Sequence, residues 1–480
     1  MPEQYDVICV GTGFATSFFL LAYLKKAKPT ERILVLERGR LDTLGWQLDN
    51  KRSSSVDPKD TYINRHKYKQ WDYNPGFGGG SNRWWACTPR MMPNDFQLET
   101  KYGVGIDWPI SYDEIEDYYY QAELAMAVSG PNDGSPYPRA NPYPQPPHMF
   151  SDADRMFKKA YPDKYFIQPT ARARVETANR NSCCAHGYCT ICPIDSKFTI
   201  LNEMAYLYDD PRVTLLMEAT VRNVETRGNL ATGVTYFIDS GYKTAESDLV
   251  VLGANTIFNP FILLKSGINH QLTGKYLREQ VSKYVTIDLD GIDNFGGSTS
   301  ITGHGYMLYD GDHRSSHAGC LIESLNVPHA FSLRPLRGRW RQRLIIKTVF
   351  EDLAREDNYV KISDENPDLP ETVYSGHSDY AQRGIDALPE LIAKMLSGLP
   401  VDNFEIAKRV NHTDSHIIGT VVMGNDPAKS VVDRYLIHHD YRNLVVLGSC
   451  TFPTASPANP ALTLSALSLW SADHLMGKAV

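Results

Sequence analysis

Val7-Ile8-Cys9-Val10-Gly11-Thr12-Gly13-Phe14-Ala15-Thr16 is the stretch that decides the fold of this chain. Tyr5, Val7, Ile8, Cys9 and Val10 read as a buried strand that stops at two glycines. Phe14 to Lys26 then reads as a helix, and a second apolar strand, Ile33-Leu34-Val35-Leu36, ends on Glu37. Strand, glycine turn, helix and second strand together make a nucleotide-binding unit. Gly11 and Gly13 let the backbone approach a pyrophosphate at the positive end of the helix. Glu37, 24 residues after Gly13, is placed to accept hydrogen bonds from a ribose. Thr16 stands where the third glycine of the pattern is usual, so its side chain is expected to widen the helix–strand contact.

The rest of the chain agrees with a large enzyme. Its 480 residues leave room for roughly two to four domains. A net charge of −7 argues against a nucleic-acid partner. No apolar run is long enough to span a bilayer. Met1-Pro2-Glu3-Gln4 lacks the basic start of a signal peptide, and the apolar run after it is already used as a strand. The expected compartment is therefore the cytoplasm, or the periplasm if a partner subunit carries the export signal.

Pro75-Gly76-Phe77-Gly78-Gly79-Gly80-Ser81-Asn82-Arg83-Trp84-Trp85 places three glycines in a row before large aromatics. That pattern suits backbone pressed against a flat group with tryptophans walling it in. Helices are expected over Ile110–Val128, Ser151–Tyr161 and Ile385–Leu396, and Pro136 to Pro147 reads as a stiff surface connector. A second strand–turn–helix unit runs from Asp248 through Gly253-Ala254 to Leu264, and residues 285–375 are largely strand-like. The arginine-rich run Arg334, Arg337, Arg339, Arg341 and Arg343 around Trp340 reads as a solvated sheet edge. Cys9, Cys87, Cys320 and Cys450 read as small buried residues, whereas Cys183, Cys184, Cys189 and Cys192 fall within ten positions. So tight a cluster points to a metal, a redox centre or a local clasp.

The last seventy residues or so carry the most specific signals. His416-Ile417-Ile418-Gly419-Thr420 and Met423-Gly424 precede a strand, Asn443 to Ser449. Phe452-Pro453-Thr454 and Ala458-Asn459-Pro460 then lead into an apolar helix, Ala461 to Met476, with Asn459 expected as its cap and Pro460 in its first position. The positive end of that helix would face a ligand. A neutral imidazole at His416 is a natural base for removing a hydroxyl proton.

Together these stretches resemble the glucose-methanol-choline (GMC) family of flavin oxidoreductases over nearly the whole chain. The resemblance implies an α/β fold with antiparallel β-structure: a discontinuous Rossmann-like FAD-binding domain and a substrate domain on an antiparallel sheet with helices. The expected divisions are 1–100, 180–280 and 411–480 for the FAD domain, with 101–179 and 281–410 for the substrate or cap domain. It implies His416 and Asn459 as the catalytic pair. It implies Gly11, Gly13, Thr16, Glu37, Gly79, Gly80, Ser81, Trp85, Val221, Ala254, Gly448 and Pro460 as the cofactor-binding set. Arg83 occupies the place where some relatives bond flavin covalently to a histidine, so noncovalent FAD is expected.

One branch fits best. The cysteine segment with Pro193-Ile194-Asp195, and His438-His439-Asp440, resemble the bacterial glucose, fructose and gluconate dehydrogenase large subunits. That resemblance implies an iron–sulfur cluster on Cys183, Cys184, Cys189 and Cys192, a small subunit and a cytochrome acceptor, although the cysteine spacing here is shorter. The reaction implied is oxidation of a sugar or polyol hydroxyl with electrons passed to a carrier. The alternatives are an oxidase that makes hydrogen peroxide, or a non-redox lyase on the same scaffold.

Overall fold

The computed structural model describes residues 3–327 and 341–477. Arg334, Arg337, Arg339 and Trp340 of the basic run lie outside the described residues. Of that run, Arg341 reaches Asp293, and Arg343 pairs with Asp288 at 2.7 Å on a sheet strand.

The opening unit forms as its sequence dictates. The strand Glu3–Val10 runs into the helix Phe14–Lys26 and returns through the strand Ile33–Leu36. All four residues of the return strand are buried, which fits a parallel strand covered on both faces. Ile8 sits opposite Leu34 on one side and Val250 on the other. The sheet continues outward to Val213–Leu216 and, past Gly241–Leu252, to Leu444–Val446. Its other arm is antiparallel, Gly241–Leu252 beside Leu230–Ile238 beside Thr220–Arg227.

A second sheet of six antiparallel strands has the order Val401–Ile406, Val281–Leu289, Arg343–Phe350, Cys320–Leu325, Ile301–Leu308, Tyr165–Ile167. The helix Asp379–Leu396 buries Ile385, Leu388 and Ile392 in the apolar cluster behind this sheet. A small third sheet joins Tyr359–Ile362, Pro370–Val373 and Ile63–Asn64. The helix Tyr112–Met126 starts with a capping box, Ser111 with Glu114, and packs with the first helix against the final one, Ala461–Gly477.

Two local expectations change. Asn459 does not cap the final helix: Leu464 N–H donates to Pro460 O at 3.0 Å, so Pro460 takes the cap position. The proline-rich segment is docked rather than free-running, with Tyr137, Gln145 and His148 buried. In the polar loop after Lys51, Ser53 and Ser54 are buried, and Ser53 donates to Asn74.

Candidate active site

A cavity of about 540 Å³ runs between the two large sheets. Its walls bring together Gly11, Gly13, Glu37, Gly79, Gly80, Trp85, Val221, Ala254, Gly448, Asn459, Pro460 and His416. Thr16 and Ser81 stand behind the wall. Ser81 Oγ donates to Gly78 O at 2.6 Å and accepts from Ile200 N–H at 3.0 Å, so it braces the glycine loop. Thr16 faces Gly253: a Cβ at that glycine would fall 2.2 Å from Thr16 Oγ1. The threonine does not push helix and strand apart, because the facing strand supplies the missing glycine.

The nucleotide end is a cradle of backbone. Gly11 has φ +92°, and a Cβ there would lie 2.6 Å from Gly253 O. Gly79 presses on Gly13 so closely that its Cβ would come within 3.0 Å of Gly13 Cα. Glu37 accepts from Thr12 N–H at 3.1 Å and Thr12 Oγ1 at 2.9 Å, and from Gly39 and Gly76 N–H at 2.9 and 3.2 Å. It therefore ties three loops together at the cavity wall. Arg38, which the sequence reading passed over, lies over the Phe258 ring at 4.4 Å and keeps one buried guanidinium nitrogen without a partner among the described residues. A cradle that side chains would fill, with a cation in reserve, fits an elongated anionic dinucleotide. Arg83 lines the same cavity and pairs with Asp72 at 3.0 Å.

At the other end stands His416. Its Nδ1 lies 2.5 Å from Gln280 Oε1. Gln280 Nε2 donates to the carbonyls of Ser456 and Ala458 at 2.5 and 2.7 Å, which fixes the orientation of the amide. Its oxygen must then accept, so Nδ1 carries the proton and Nε2 keeps its lone pair. Glu279, paired with Lys69, accepts from His416 N–H at 3.2 Å and anchors the loop. Burial first, and the Lys347 ammonium second, push the imidazole pKa down to about 4, against the pull of Asp414 and Glu323.

The partners of this histidine come from the second sheet. Register places Tyr284, Lys347, Glu323 and His304 side by side across four neighbouring strands, on one face. Tyr284, Lys347 and Glu323 line the cavity. Lys347 pairs with Asp414 at 2.8 Å. Glu323 Oε1 accepts from Asn459 Nδ2 at 3.2 Å. Burial pushes Glu323 upward, but the neighbouring His304 and the charge of Lys347 carry it down to about 2, so it is a standing carboxylate. Asn459 Oδ1 has no partner among the described residues and is buried. Sequence reading missed Gln280, Glu323 and Lys347. Their signal is cross-strand register, which no local motif announces.

The four clustered cysteines line one small pocket as free thiols. Cys189 faces Ser300 Oγ at 2.9 Å, Cys183 faces Thr299 Oγ1 at 3.5 Å, and Cys192 Sγ accepts from Ser196 N–H at 3.1 Å. Cys184 is exposed. Among the described residues no group of three or more His, Cys, Asp or Glu side chains is arranged to hold a metal ion. Among the described residues, too, no helix is long and apolar enough to cross a membrane.

A parallel nucleotide-binding sheet whose cavity ends at a neutral, oriented imidazole defines a flavin-type oxidoreductase. Residues 354–468 match the family model described as GMC oxidoreductase. The chain is similar to the fructose dehydrogenase large subunit of Gluconobacter japonicus, 26% identical over 98% of this chain and 97% of the relative. It is also similar to 2-methyl-1,2-propanediol dehydrogenase of Mycolicibacterium austroafricanum, 23% identical over 98% and 95% of the two chains. The fold matches pyridoxine 4-oxidase from Mesorbium loti with a TM-score of 0.68, at 16% identity, covering 98% of this chain and 99% of that one.

Proposed function

We propose that this protein oxidises a hydroxyl group of a sugar or polyol, with His416 as the base. The observation that carries the reading is the lone pair of His416 Nε2, fixed by Gln280, on the wall of the cavity that begins at Gly11 and Gly13. The glycine cradle, Arg38 and the start of the final helix would hold FAD, which would supply the hydride acceptor when bound. Every other part is played by the chain. His416 takes the hydroxyl proton. Asn459 Oδ1, buried and without a partner among the described residues, accepts from a neighbouring hydroxyl of the substrate and so orients it, while Glu323 holds the amide the right way round. The final helix, opening at Pro460, points its positive end at the same wall.

A polyhydroxylated substrate is favoured by the row across the second sheet. Lys347 offers donors beside Glu323, which offers an acceptor, so neighbouring hydroxyls meet complementary groups. The likeness to dehydrogenases of fructose and a propanediol supports the same class. It also favours a carrier over oxygen as the acceptor, and the relative described as a large subunit suggests a multi-chain assembly. The oxidase reading rests on the fold shared with pyridoxine 4-oxidase.

The test is anaerobic flavin bleaching by a panel of sugars and polyols, in wild type and in His416→Ala. The variant is expected to keep its flavin and to be reduced on the order of a hundredfold more slowly, or worse. An unchanged rate removes His416 from the chemistry. Peroxide formed under air in step with substrate consumption would establish the oxidase reading.

A further inference from the structure

Two carboxylates flank the base, and outside the cavity wall Asp414 meets Ser282 and Glu323 meets His304. Asp414 stands two residues before His416 on the same loop, at the cavity wall. Glu323 reaches the same wall from the second sheet and stays ionised. Two anions beside an imidazole draw a proton onto it. A base so loaded cannot take a second proton from a hydroxyl. Something must oppose them, and the geometry supplies it. Lys347 lies directly across the strand from Glu323 and 2.8 Å from Asp414, on the row that faces His416. Its side chain is only 14% exposed, and Asp414 is its hydrogen-bonded partner among the described residues.

We propose that Lys347 is a positioning residue for the reaction: lodged between Glu323 and Asp414, it cancels their pull on His416 and keeps the imidazole unprotonated for substrate. This rests on the reading of His416 as the base. The other charged and titratable groups near the imidazole do not replace Lys347. Glu279 faces the backbone of His416 and is neutralised by Lys69. Tyr284 flanks Lys347 on the far strand, and burial raises its pKa, so it stays neutral. His304 lies beyond Glu323, 3.6 Å from that carboxylate. The direction of each influence on His416 agrees: burial lowers its proton affinity most and Lys347 lowers it next, while Asp414 and Glu323 raise it.

The experiment follows the His416 imidazole itself. Histidine labelled with carbon-13 at Cε1 is introduced into the flavin-loaded protein, and the signal is assigned by its loss in His416→Ala. Its titration is then compared in wild type, Lys347→Met, and the charge-matched pair Lys347→Met with Asp414→Asn. In wild type the imidazole is expected to stay neutral from pH 8 to 5. Its midpoint should rise by at least tenfold in proton affinity in Lys347→Met and sit between the two in the double variant. That order is the signature of charge cancellation, because a lysine that merely fills space would leave the Lys347→Met midpoint at the wild-type value. The acid limb of flavin bleaching by D-fructose, D-sorbitol and glycerol should move the same way. A midpoint unchanged in Lys347→Met, or a double variant no lower than the single one, overturns the proposal. If none of the three alcohols bleaches wild-type flavin, the alcohol-oxidation reading fails, while the titration still decides the role of Lys347.

Discussion

At the scale of single residues, the site depends on groups whose roles are set by their partners. Glu323 is the clearest case. One of its oxygens accepts from the Asn459 amide, and Asn459 Oδ1 is left buried without a partner among the described residues, on a residue that lines the cavity. Replacing Glu323 with Gln keeps the volume and removes the fixed acceptor. The glutamine amide can present its nitrogen to Asn459, which would flip the asparagine and aim a donor where an acceptor is needed. Glu323→Gln is expected to keep FAD and slow flavin reduction by roughly ten- to a hundredfold, about 1.4–2.7 kcal/mol in the barrier. Anaerobic stopped-flow bleaching checks it, and a rate equal to wild type would mean Asn459 is oriented by something else. His416 and Asn459 were legible in the sequence because a proline–asparagine motif and a histidine motif lie in local stretches. Gln280, Glu323 and Lys347 were not, because each sits in or beside an ordinary strand sequence and gains its meaning from a neighbour 24 to 136 residues away.

At the scale of elements, the first strand–turn–helix unit works by close approach, and the place of closest approach had moved. The expectation was that Thr16 would force the helix away from the sheet. The helix Phe14–Lys26 nonetheless sits tightly, because Gly253 on the facing strand leaves the room. Thr16 uses that room to reach Val10 O at 3.4 Å, a weak contact that still satisfies the hydroxyl. A methyl at Gly253 would meet Thr16 Oγ1 at 2.2 Å and Val10 O at 3.1 Å. Gly253→Ala is therefore expected to cost about 1–3 kcal/mol by overpacking and to loosen FAD at the adjoining turn. Thr16→Ala placed on top removes the atom in collision and should recover part of both losses. Thermal melting and flavin retention on a desalting column report the two effects. A double variant no better than the single one would show that Val10 O is the true obstruction. Why the sequence misled here is physical: the helix–strand gap is a property of two facing surfaces. The glycine that opens it lies 237 positions beyond Thr16. Within each element the reading held, since strand and helix periodicity are local. The fold class was legible for the same reason, from the alternation of the first forty residues and the strands after 280.

At the scale of the whole molecule, polar ties cross from one part of the chain to the other and make the active-site wall a shared structure. Arg314 is fully buried, with Asp95 at 2.8 Å on one side and Glu351 at 2.5 Å on the other. Removing one member of such a buried set is strongly destabilising because it strands a charge. A second tie begins at His148 in the proline-rich segment. Its Nε2 meets Arg172 O and its Nδ1 meets Ser298 Oγ, both at 3.0 Å. Arg172 donates in turn to Thr299 Oγ1 at 2.6 Å and to the carbonyl of Trp85, whose side of the loop lines the cavity. Burial pushes the His148 pKa down from 6.5 to about 4, so the folded protein holds this ring neutral. The sign of the stability effect follows. Between pH 6.5 and 4 the unfolded chain binds a proton at His148 that the folded chain refuses, so the fold loses stability as pH falls through that window. The loss approaches about 1.4 kcal/mol per pH unit, or about 2 kcal/mol by pH 5. His148→Gln keeps a donor and an acceptor but carries no titrating group. It should melt below wild type at pH 7, where its hydrogen bonds are less well placed, and the gap should narrow or reverse at pH 5. The other histidines titrate alike in both proteins and cancel from the comparison. Melting temperatures at the two pH values decide it: a gap that stays constant would mean that His148 titrates in the fold as it does in the unfolded chain, and a gap that widens at pH 5 would mean that the fold holds a charged ring.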